Sequence, residues 1–139
     1  MNLYKVKLYS FLASIIFIPV AVLGQYFGWF VGMFFAWFNS AFTFFHMPII
    51  FSSITIGFVS GAFGGWLAAK AVMKMNKIFD FKWAIILPVI SIIIALIGTI
   101  FGYVKRDSFN IFIEHFVSNL SLIILYVMTL KDEGKFKSI

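Results

Sequence analysis

Of the 139 residues, 63% are hydrophobic, 21% aromatic and only 12% charged, where a soluble domain carries about 25% charged residues. With a mean hydropathy of +1.04, water is the wrong solvent for most of this chain. The net charge of +6 does not point to nucleic acid, because the lysines form short clusters beside apolar runs rather than a stripe on a water-exposed domain. The absence of cysteine excludes disulfides, thiolate metal sites and cysteine nucleophiles.

Lys5 and Lys7 precede a charge-free run over residues 8–45 that contains Pro19 and the pair Gly24-Gln25. Read as a cleaved signal peptide, residues 8–23 would have a basic start and a small-residue end. That reading would leave the lysines at 70–82 on the outer side, against the positive-inside rule. Both flanks of the region, Lys7 and Lys70, are basic, so the number of crossings between them should be even. Two are predicted, the first at about 8–25 extending towards 38 and the second at about 48–69, with Pro19 kinking or tilting the first. The aromatic segment at about 26–45 either extends the first span or forms an extra interfacial or re-entrant helix. In the latter case Tyr26, Trp29 and Trp37 suit headgroup depth.

A third apolar run, at about 83–103, follows Lys82 and opens on Trp83, and a fourth, at about 109–130, returns to the tail Lys131-Asp132-Glu133-Gly134-Lys135. The predicted fold is therefore all-α, a single polytopic domain of four transmembrane helices with both termini cytoplasmic, expected in a bacterial cell membrane. Nine of the eleven basic residues then lie inside. Lys105 and Arg106 stay outside, offset by Asp107 and Glu114 only in net charge, which the rule largely ignores.

Small residues give the most specific pattern. In the second span Ser53, Gly57, Gly61, Gly65 and Ala69 fall four apart, with Ser60, Gly64 and Ala68 as a second row; Gly24, Gly28, Gly32, Ala36 and Ser40 repeat the spacing upstream. Such faces let helix backbones approach closely, which matters where lipid tails are as apolar as Leu and association depends on van der Waals contact. They serve packing within one subunit, contact between subunits, or both. Ser91, Ala95 and Thr99, beside Gly98 and Gly102, form a weaker version in the third span. Ile56 is expected to lie off the packing row.

The fourth span carries the polar groups. Asn110, Glu114, Ser118 and Ser121 share one helical face and His115 and Asn119 the adjacent one. With the helix starting near residue 108, the Glu114 carboxylate lies roughly 9 Å along the span, where an ionised group is costly unless paired or wet. Snorkelling to the headgroups or pairing with Lys105 or Arg106 is the plain reading, and a functional carboxylate the sharper one. His46 and His115, the only histidines, are expected at the outer face. A two-histidine haem or metal site would need opposed imidazoles at matched depth, and no spacing resembles a metal motif.

No serine elbow, paired intramembrane carboxylate, phosphate loop or zinc-protease motif occurs in the sequence, so no enzyme, cofactor or metal is expected. The function predicted is that of a small non-catalytic membrane protein acting through helix contacts, as an accessory or assembly subunit or an immunity-type protein. Its partners would be membrane lipids and a membrane protein or a second copy of itself. The alternative is a small oligomeric channel or transporter with Glu114, Asn119 and the glycine rows near its path.

Overall fold

The computed structural model describes residues 3–42, 49–75, 80–103 and 109–133. Apart from Asp80 these are helical: α1 (Leu3–Ala13), a 3-10 turn (Ser14–Ile16), α2 (Phe17–Phe42), α3 (Ile49–Met75), α4 (Phe81–Tyr103) and α5 (Phe109–Glu133). Four stretches are long and apolar enough to cross a membrane, namely Leu3–Trp37, Phe51–Met75, Phe81–Gly102 and Phe109–Asp132.

The junction of α1 and α2 follows from Pro19. Proline has no N–H for the carbonyl four residues earlier, that of Ile15, and its ring crowds that oxygen. The chain tightens there into the 3-10 turn, whose C-cap N–H, at Phe17, donates to Ile15 O and Ser14 O. The helical run then continues to Phe42, so residues 26–42 of the aromatic segment are continuous with the helix that begins at Phe17 and do not form a separate helix. The remainder of that segment, 43–45, lies outside the described residues.

α3 is the central element, packed against both α2 and α5. Its two small-residue rows serve different neighbours. On one side, a Cβ built at Gly24 would lie 2.7 Å from Gly64 Cα, one at Gly28 2.8 Å from Ser60 Cα, and one at Gly32 3.0 Å from Ile56 Cα. On the other, Gly57 meets the backbone carbonyl of Glu114, Gly61 that of Ser118, and Gly65 that of Leu122. The four glycines of α3 would each weaken a helix by about 1 kcal/mol in water. Here no side chain could replace them without driving the backbones apart. Ala68 and Ala69 continue the two rows and are fully buried.

Two sequence expectations are corrected by this packing. Ile56 lies off the Gly57, Gly61 and Gly65 row but belongs to the α2 contact, against Gly32, because it falls four residues before Ser60 and so on the second row. The glycines beside the weak row in the third span are not close approaches: a Cβ at Gly98 or Gly102 would meet nothing within 4 Å, whereas Thr99 of the row itself is buried.

α4 packs mainly on α1 and α5, burying the four-spaced Ala84, Pro88 and Ile92 together with Thr99. Asp80 caps it, its Oδ1 accepting from the backbone N–H of Lys82 (3.0 Å) and Trp83 (3.4 Å). The Asp80 N–H in turn donates to the buried Ser10 Oγ at 2.8 Å, fastening the start of α4 to α1. Inside α4, Pro88 cannot donate to the carbonyl of Ala84. Tyr126 of α5 supplies the missing donor, its hydroxyl 2.8 Å from Ala84 O, while its ring meets Phe17 edge-on at 4.7 Å between centroids. Around this contact lies the core, formed by Phe17, Ala21, Ala68, Ala69, Val72, Leu122, Tyr126 and Leu130. It occupies the end of the molecule where α2 begins and α3 and α5 finish.

Candidate polar groove between α2 and α5

Because α2 and α5 both pack on α3, a gap remains between them. It is a groove of about 570 Å³ lined by Val22, Gln25, Tyr26 and Trp29 from α2, Ser60 from α3, and Ile111, Glu114, His115, Ser118 and Asn119 from α5. Gln25 and Trp29 are four apart, as are Glu114 and Ser118, and Ile111 and His115, so each helix turns one polar stripe towards the other. The four residues singled out in the fourth span, Glu114, His115, Ser118 and Asn119, are all brought to this one groove.

Hydrogen bonds cross the groove. The Gln25 amide donates to Ser118 Oγ at 3.0 Å and to Asn119 Oδ1 at 3.4 Å. The Trp29 indole N–H donates to Glu114 Oε1 at 2.6 Å. Beneath them Ser60 Oγ donates to the Gln25 backbone carbonyl at 2.8 Å, and Ser118 Oγ approaches Ser60 Oγ at 3.3 Å. Ser121, next on that face, is buried against α3, donating to Ser118 O at 3.1 Å and Phe58 O at 3.3 Å. His115 Nδ1 lies 2.9 Å from Ile111 O, one turn earlier on its own helix.

Glu114 is half-buried, five residues into α5, which is about 8 Å from the helix start at 1.5 Å per residue. Among the described residues its hydrogen-bond donor is Trp29. The anticipated pairing with Lys105 or Arg106 lies outside the described residues, as does His46 and with it any two-histidine site. Among the described residues no group of three or more His, Cys, Asp or Glu side chains could hold a metal ion.

Gln25 and Trp29 are the site residues that sequence reasoning missed. Gln25 was legible as an uncharged polar interruption of an apolar run, and Trp29 follows it by one helical turn. An amphipathic indole suits headgroup depth as well as a groove, so its residue type alone does not distinguish the two. What the sequence could not supply was that α2 and α5 flank the same helix, which is the only reason residues 85 positions apart touch.

No family model, curated protein or solved structure matches the chain. What defines it is the architecture itself: an all-helical chain with four helices long and apolar enough to span a membrane, and a polar groove set between two of them.

Proposed function

We propose that the chain is an integral membrane protein of four spans that acts without catalysis, through helix contacts with a membrane-protein partner, as an accessory or assembly subunit or an immunity-type protein. The observation that carries this reading is the contrast between α3 and α4. The glycine rows of α2 and α3 are consumed inside the subunit, backbone against backbone. α4 instead leaves bare backbone at Gly98 and Gly102, flanked by the exposed Ile94, Ile97 and Phe101. In a bilayer, a helix face with glycines and no internal neighbour is suited to close approach by another helix.

The second reading, a small oligomeric channel or transporter, draws on the polar groove. Glu114, Asn119 and Gln25 are the kinds of residue that line ion and substrate paths. Against a path through one subunit stands the core below Ser60 and Gln25: Ala21, Leu122, Phe17 and Tyr126 fill the space with almost no exposure, so the groove ends blindly.

Purification from native membrane in mild detergent separates the two. A stoichiometric partner is expected with the wild type, and Gly98→Leu should abolish it while leaving the melting temperature unchanged, since the added side chain enters open space. A homo-oligomer that moves ions or small solutes across liposomes, with no partner retained, would replace the first reading by the second.

A further inference from the structure

We propose that the groove between α2 and α5 is a binding site for an ammonium group carried on an apolar body, such as an amine-bearing lipid headgroup or a free lipophilic amine. This goes beyond the contact function proposed above and does not depend on it. It shares only the reading of these helices as membrane-spanning.

Charge is the first argument. Among the residues lining the groove, Glu114 alone carries a formal charge at neutral pH with histidine neutral, and a carboxylate poorly exposed to water is stabilised by a cation brought to it. Among the described residues the Trp29 indole N–H, which satisfies one lone pair of Oε1, is the donor that meets this carboxylate, and a neutral N–H orients the group without cancelling its charge. A carboxylate has about four acceptor positions, so a cation can be added without displacing Trp29.

Aromatic faces are the second. Tyr26 and Trp29 line the same groove, one turn or less from each other on α2. Faces of Tyr and Trp attract ammonium groups, and quaternary ones are recognised by such rings with no hydrogen bond at all. A carboxylate with two aromatic rings favours an ammonium over a hydrated metal ion, which would require several oxygen ligands.

Shape is the third. The volume of about 570 Å³ falls in the range of sites for drug-sized ligands, about 300–1,000 Å³. Val22 and Ile111, apolar and exposed, stand at its edge, where the apolar body would lie. Gln25, Ser60 and Ser118 at the floor are bonded to one another, so they bound the site and need no ligand to satisfy them.

The test uses the full-length protein purified in a maltoside detergent and titrated with octyltrimethylammonium, with tryptophan fluorescence and melting temperature as readouts. Its uncharged isostere, with carbon in place of nitrogen, is the control. Saturable binding of the cation and none of the isostere is expected. Glu114→Gln should weaken binding by about tenfold or more, as removal of the one formal charge among the groove's lining residues would. Tyr26→Leu, at a side chain 66% exposed and outside the core, should keep the wild-type melting temperature and weaken binding by about threefold or more.

A parallel arm determines the source of the ammonium by mass spectrometry of lipids that stay bound after purification. Phosphatidylethanolamine retained by the wild type and lost from Glu114→Gln assigns the headgroup; cation binding without retained lipid assigns a free amphiphile. Equal binding of the isostere, unchanged affinity in both variants, or no saturable binding by the wild type would overturn the proposal.

Discussion

Gly61→Leu is expected to destroy the native packing. A Cβ at this position runs into Ser121 Oγ and the backbone carbonyl of Ser118 and stands 2.9 Å from Leu122 N. Two of these three atoms belong to the α5 backbone, which has no rotamer into which it can withdraw. The helices would have to separate along the whole Gly57, Gly61 and Gly65 row, with loss of about 3 kcal/mol or more, the upper part of the range for overpacking. Thermal unfolding in detergent measures it, with Gly98→Leu as the control because its Cβ meets nothing within 4 Å. The Gly61 variant should melt far below wild type or fail to purify as a monodisperse species, and the Gly98 variant should melt with the wild type. Equal melting of the two would remove the account of α3–α5 packing.

Tyr126→Ala is expected to be nearly as damaging, for a different reason. The ring is fully buried, it packs edge-on against Phe17, and its hydroxyl is the donor to the Ala84 carbonyl that Pro88 leaves without a helical partner. Truncation opens a cavity in the core and orphans that oxygen, with a loss of about 3–5 kcal/mol. Tyr126→Phe isolates the hydrogen bond, since it keeps the ring and should lose only about 1 kcal/mol, in line with interhelical bonds in apolar surroundings. If the Phe variant falls as far as the Ala variant, the bond to Ala84 dominates and the packing term has been overstated.

The four long helices were legible because the signal behind them is strong and local: apolar runs of the required length, punctuated by Pro19, by lysines and by short polar connectors. The small-residue rows were legible as faces. Which neighbour each face meets was not, because a four-residue repeat says that something approaches closely and nothing about what. Ser60 and Gly64 against α2, and Gly57, Gly61 and Gly65 against α5, are settled only by the arrangement of three helices. In the third span Gly98 and Gly102, beside the row of Ser91, Ala95 and Thr99, have the spacing and lack the neighbour. At the site, Glu114, Ser118 and Asn119 were found from helical periodicity within α5. Their partners Gln25 and Trp29 lie on a helix 85 or more positions away, and no local pattern encodes that pairing.

Everything proposed about the groove and about α4 requires that the chain be threaded through a membrane, and the threading expected puts residues 76 and 138 on the inner side and the connector at 104–108 on the outer. The chain has no cysteine of its own, so single cysteines can be placed at Asn76, Ser138 and Asp107 and challenged in intact cells with a membrane-impermeant thiol reagent. Asp107→Cys should be labelled, while Asn76→Cys and Ser138→Cys should stay unlabelled until the cells are opened, because nine of the eleven basic residues then face inward. Labelling of Asn76→Cys or Ser138→Cys in intact cells would contradict this topology, and labelling of all three positions in intact cells would contradict the threading on which the groove and α4 proposals rest.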